Sequence, residues 1–123
     1  MVWFRIFMSV IMLLVPSTML FFGYRWKKTP PNKVNSAYGY RTKRSMSSRR
    51  AWVYAHEVCG QVWRRFGAIT LGLTFVLILF MFIFCHSEEM AGNLGMIVVF
   101  AQMIPLIASI PITERALKKK FEI

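Results

Sequence analysis

The chain has 123 residues, 56% of them hydrophobic, and a net charge of +11. One domain of this size cannot hide so much apolar surface in a water-soluble core, so the composition excludes an ordinary soluble protein and calls for lipid around most of the chain. Two cysteines, Cys59 and Cys85, are too few for a disulfide framework, and the absence of any aspartate excludes a Ser/His/Asp set.

The first uncharged stretch runs from Ile6 to Tyr24, 19 residues. A helix needs about 20 apolar residues to cross about 30 Å of hydrocarbon. The stretch therefore predicts a membrane-spanning helix. A cleavable signal peptide competes, because Arg5, the apolar run to Val15 and Pro16-Ser17-Thr18 resemble its three regions. No small-x-small site follows, Met19 to Phe22 continues the apolar run, and cleavage would leave the following basic loop outside the cell.

That loop, residues 25–65, carries eleven Arg and Lys against Glu57 alone. Arg25 to Asn32 is broken by Pro30-Pro31 and is expected to be extended at the headgroups, with Tyr24 and Trp26 suited to the interface. Gly39 marks a turn within 34–42. Ser45, Ser47 or Ser48 can cap a helix that follows. From there Ala51, Trp52, Ala55, Val58, Cys59, Val62, Trp63 and Phe66 share one face, with Arg50, Glu57, Gln61, Arg64 and Arg65 on the rest. This amphipathic helix either lies on the inner leaflet or leads into the next span. The unbroken apolar face favours the second, a helix from near Ser48 to about Cys85 with a bend at Gly60 or Gly67.

Phe66 to Cys85 is the second uncharged stretch, 20 residues, and Met90 to Thr113 is the third, 24 residues. Gln102 and Ser109 are polar at membrane depth and read as helix-packing residues. Pro105 and Pro111 predict a kink in the third span. The turn 86–92 holds Glu88 and Glu89 and no cation, whereas the tail holds Arg115 and Lys118 to Lys120 against Glu114 and Glu122. Positive loops stay in the cytoplasm, so the N-terminus is expected outside and both 25–65 and the tail inside. The cations then face an anionic inner leaflet, at about 1 kcal/mol each near the surface. The fold class expected is an all-α integral membrane protein of one domain, 1–123, with three spans at about 6–24, 66–85 and 90–113.

Within the basic loop stand Pro30-Pro31, Lys33-Val34-Asn35-Ser36, Tyr38-Gly39-Tyr40-Arg41-Thr42, Ser45-Met46, Ser48, Trp52, Ala55-His56, Gly60, Trp63 and Gly67. This run closely resembles the signature of the SdpI-like membrane proteins, relatives of the bacterial immunity protein against the sporulation-delaying toxin. The signature covers residues 30–67, and its Tyr-Gly-Tyr-Arg-Thr core joined to Trp and His at fixed spacing is specific. The chain looks like the small, single-module form. The resemblance implies a multi-pass protein of the bacterial cell membrane that shields the cell from a membrane-active peptide toxin. Longer members also hold a transcriptional repressor at the membrane, which implies a cytosolic regulator as an alternative partner. The signature residues it marks are Asn35, Tyr38, Gly39, Tyr40, Arg41, Thr42, Trp52, His56 and Gly60.

Each has a chemical reading. Arg41 can grip a lipid phosphate or a partner carboxylate in bidentate fashion, or be one more cation in a cationic loop. Tyr38 and Tyr40 are expected to anchor the loop at the interface. Gly39 is expected at positive φ. Trp52, His56 and Gly60 lie at i, i+4 and i+8, one stripe of the helix. His56 can titrate near neutral pH, but a hydrogen bond to a neighbouring loop is the favoured role. His56 with Cys59, and Cys85-His86 with Glu88 and Glu89, are too thin for a metal site. No cofactor and no catalysis are expected, and inner-leaflet topology accounts for the basic loop without nucleic acid. Two function classes remain: a membrane immunity factor, and a signalling or scaffold protein whose basic loop recruits a cytosolic partner. Self-association is left open.

Overall fold

A computed structural model describes residues 2–29, 34 and 39–122. It has three helices: α1 (Val2–Lys28), α2 (Arg49–Phe84) and α3 (Glu88–Phe121). The run Arg25 to Asn32, expected to be extended, is helical in its first half: α1 continues through Lys28, its last-turn cations complementing the helix dipole. Pro30-Pro31, Asn35 and Tyr38 lie outside the described residues. All three helices are long and apolar enough to cross a membrane. In their most apolar windows only 17–28% of residues are buried against protein, which leaves most of the apolar surface for lipid.

Local chemistry sets the ends. Ser48 caps α2 by accepting the Ala51 N–H at 3.0 Å. Ser87 caps α3 by accepting the Met90 N–H at 3.1 Å. Glu88 and Glu89 in its first turn and Lys118 to Lys120 in its last both complement the helix dipole. Arg25, Lys27 and Lys28 do the same at the end of α1. The amphipathic segment and the second span are one continuous helix of 36 residues. α3 likewise runs as one helix through Pro105 and Pro111, and α1 through Pro16.

The bundle runs up, down, up. Phe4 lies beside Gly92, and Arg5 donates to the Cys85 carbonyl at the C-cap of α2, so the start of α1 meets the short α2–α3 turn. At the opposite end the 39–48 segment meets the end of α3, where Arg44 pairs with Glu114 at 3.0 Å. Both basic segments therefore share one end. The buried stripes step by three or four: Met8, Met12, Pro16, Met19, Gly23 and Trp26 on α1, and Gly60, Gly67, Thr74 and Met81 every seven residues on α2. That spacing keeps one narrow seam facing its neighbours. At the α1–α2 crossing the backbones nearly touch, and a Cβ on Gly23 would lie 2.9 Å from the Gly60 carbonyl oxygen. Close approach through small residues is how helices gain packing where lipid supplies no hydrophobic drive.

Two core clusters result. One joins Met8, Met12, Met81, Cys85, Ala91 and Val98 near the α2–α3 turn. The other joins Trp26, Tyr40, Ala51, Ala55, Cys59 and Leu117 at the basic end. Between them Gln102 ties all three helices together: its Nε2 donates to the Met12 carbonyl at 2.8 Å and to Thr74 Oγ1 at 2.9 Å. Both cysteines are free and buried, so neither reports on which side of the membrane it lies.

Candidate functional site

The basic end holds the most elaborate side-chain chemistry in the molecule. It starts from α2, whose stripe of Trp52, His56 and Gly60 is turned wholly inward; Trp52 and His56 are 0% exposed. His56 sits between two indoles, with the Trp26 ring centroid at 4.8 Å and that of Trp52 at 4.5 Å. Its Nε2 accepts the Tyr40 backbone N–H at 2.8 Å, while Nδ1 lies 2.8 Å from the Trp52 carbonyl. A carbonyl only accepts and an N–H only donates, so these partners select the neutral ring with its proton on Nδ1. This is the bond to a neighbouring loop expected for this histidine.

Gly39 makes that contact sterically possible. It takes φ +98°, the left-handed region that glycine enters without strain, and a Cβ there would stand 2.6 Å from His56 Nε2. Beyond it the chain folds on itself around Ser45. The Ser45 hydroxyl accepts the Thr42 N–H at 2.8 Å and reaches the carbonyls of Tyr40 and Thr42 at 2.9 and 3.0 Å. Thr42 Oγ1 in turn accepts the Ser45 N–H at 3.2 Å. Ser45 is thus a loop organiser, and the helix cap belongs to Ser48.

Tyr40 departs from its expected place. Instead of anchoring at the lipid interface it is buried, and its hydroxyl donates to Glu114 Oε1 at 2.8 Å. Burial, reinforced by that carboxylate, pushes the phenol well above its usual range. The other Glu114 oxygen holds Arg44, so this one glutamate fastens the loop to α3 twice. Trp26 also departs from expectation. It is buried against Trp63, with centroids 5.2 Å apart, because the tight α1–α2 crossing draws it inward. Trp63 Nε1 donates to Ser109 Oγ at 3.1 Å, which gives Ser109 the packing role expected of it.

A cavity of about 350 Å³ opens beside this cluster, lined by Trp26, Tyr40, Arg41, Thr42, Trp63 and Ile110 among others. Arg41 is exposed at its edge. Of the signature residues, Gly39, Tyr40, Thr42, Trp52, His56 and Gly60 therefore converge, and Arg41 faces outward beside them. Trp26, Ser109 and Glu114 belong to the cluster but lie outside the signature. Glu114 carried a faint signal as one of two acids in a basic tail. Among the described residues, no group of three or more His, Cys, Asp or Glu could hold a metal ion.

Residues 31–113 match the model of the SdpI/YfhL protein family, which is more than half of the chain. The chain belongs to the SdpI/YfhL family. The matched region runs from the basic loop through α2 and most of α3, so it contains Tyr40, Trp52, His56 and Ser109 of the cluster, while Trp26 and Glu114 lie just outside it. A relative, the uncharacterized protein YfhL of Bacillus subtilis strain 168, is 37% identical over 59 residues, covering 48% of this chain and 54% of the relative. The chain thus spans about half the length of the curated relative it matches. No solved structure matches the chain. Three apolar helices and SdpI/YfhL membership together make this a multi-pass membrane protein.

Proposed function

We propose that the protein is an immunity factor of the bacterial cell membrane, protecting the cell from a membrane-active peptide toxin of the sporulation-delaying type. The observation that carries this reading is family membership over residues 31–113. The bundle is consistent with it. The chain offers lipid-facing helices and narrow clefts for an apolar ligand, and His56, Ser45 and Glu114 at its basic end are spent on internal bonds. The orientation that goes with this reading places the N-terminus outside and the basic end in the cytoplasm, against anionic inner-leaflet lipids. In that orientation the His56 cluster holds the cytoplasmic end of the bundle together, and toxin meets the protein within the bilayer.

The test is survival. A toxin-sensitive bacterial strain expressing the chain should grow on toxin concentrations that kill the parent strain, with membrane levels measured alongside. Good insertion without any survival advantage against several such toxins would reject the reading. A second reading, a signalling scaffold, is favoured by one feature: Arg41, Lys43, Arg49 and Arg50 are all exposed on or beside the folded 39–48 segment. That basic surface would suit an acidic patch on a cytosolic regulator. Retention of such a regulator on vesicles by the chain, and its loss on changing these four residues to Ala, would put this reading first.

A further inference from the structure

Midway along the spans, between α2 and α3, lies a cleft of about 370 Å³. Leu73, Ile97 and Ile104 form its rim and are 61–68% exposed, facing the space that lipid fills. Thr74, Val98 and Gln102 form its floor and are 1–5% exposed. Every residue lining it is uncharged. An acyl chain could fill such a space on shape and polarity alone.

Gln102 argues for something more specific. Its Nε2 must face the Met12 carbonyl, because a carbonyl oxygen accepts and cannot donate. The second Nε2 hydrogen goes to Thr74 Oγ1, and Thr74 donates its own hydroxyl hydrogen to the Thr70 carbonyl at 2.7 Å. The amide is therefore fixed in orientation, and its Oε1 is left buried with no hydrogen-bond partner among the described residues. An acceptor buried without a partner is costly, most of all in hydrocarbon where water cannot serve it. A lipid tail has no donor to offer.

We propose that this cleft docks an apolar, membrane-inserted peptide segment that donates a hydrogen bond from a side-chain hydroxyl, carboxamide or indole to Gln102 Oε1. The apolar rim holds the segment by packing and parts to uncover Gln102 Oε1, which is closed off in the structure. This unpartnered acceptor then selects for a donor at mid-bilayer depth. Such a site deepens the immunity reading and rests on it for the identity of the peptide as a toxin. It also separates two tasks: ligand contact in the bilayer, and organisation of the bundle by the His56 cluster at the basic end.

The experiment uses the full chain in vesicles and two leucine-rich transmembrane peptides of about 20 residues, one with a central serine and one with leucine there. Association is read by energy transfer between labelled protein and labelled peptide. The serine peptide should bind about three- to fifteen-fold more tightly, the range that interhelical hydrogen bonds in membranes support. Gln102→Leu should erase that preference. Ala101→Phe, which fills the cleft from an exposed position, should weaken both peptides. Because Gln102→Leu also removes two bonds to neighbouring helices, helical content is followed in parallel, and the wild-type peptide pair and Ala101→Phe decide the matter if that variant unfolds. Equal binding of the two peptides to the wild-type chain overturns the proposal. So does a protein–protein signal abolished by Ala101→Phe with no preference for serine, which would assign the cleft to a second copy. In cells, protection that persists in Gln102→Leu overturns the site and leaves the immunity reading standing. Serine-selective binding with no wild-type protection does the reverse.

Discussion

His56 Nε2 accepts the backbone N–H of Tyr40 at 2.8 Å, sixteen residues earlier in the chain. This bond joins the buried face of α2 to the loop that packs against α3, and it requires the neutral imidazole. A second proton on the ring would set a donor against a donor. The bond is therefore intact at neutral pH and lost as the ring protonates in acid. His56→Phe keeps the aromatic packing but removes the acceptor, and should cost about 1–3 kcal/mol, the usual penalty for a buried N–H left unpaired. Thermal melts in detergent across pH 5 to 8 should show the wild-type chain losing stability toward acid and the variant responding less.

Glycine matters at Gly39 and not at Gly72. A Cβ at Gly39 would press on His56 Nε2 and force a side-chain-bearing residue to φ +98°. Gly39→Ala should cost about 1–3 kcal/mol on backbone strain alone. A Cβ at Gly72 meets nothing within 4 Å. Gly72→Ala, in a helix interior, should be neutral or stabilising by about 0.5–1 kcal/mol. Paired melts of the two variants check the contrast.

Arg41 and Trp52 both belong to the signature, yet they should fail differently. Trp52 is wholly buried, so Trp52→Ala should cost about 3–5 kcal/mol and reduce protection by lowering the amount of folded protein. Arg41 is exposed, so Arg41→Ala should leave membrane levels unchanged and reduce protection directly. Lys118→Ala removes one cation among several and should change little. Survival on toxin, divided by membrane level, distinguishes the three.

Orientation needs introduced cysteines, since Cys59 and Cys85 are buried. Glu89 and Lys43 are exposed at opposite ends of the bundle. An impermeant thiol reagent should label Glu89→Cys in intact cells and Lys43→Cys only after lysis. The opposite pattern would invert the topology.

Three spans were legible in the sequence because hydrocarbon demands about 20 uncharged residues in a row, a constraint that acts on composition alone. A serine cap among Ser45, Ser47 and Ser48 and the Gly39 turn were legible because local backbone chemistry sets them, and the structure gave the cap to Ser48. So was the inward stripe of Trp52, His56 and Gly60, since α2 is amphipathic where it leaves the lipid. Inside the bilayer that signal fades. Lipid is as apolar as leucine, so hydropathy does not distinguish a lipid-facing Ile97 from a buried Val98. The seam that joins the helices runs through Gly23, Gly60 and Gly67, whose role is close approach rather than hydrophobicity. Tyr40 and Trp26 have the amphipathic character of interface residues, and only the packing of loop and helices, with Glu114 brought in from 74 residues away, decided that they are buried. The unpaired oxygen of Gln102 is likewise a tertiary fact. The sequence places a glutamine at mid-membrane depth, but which of its bonds are made depends on Met12 and Thr74, carried there by two other helices.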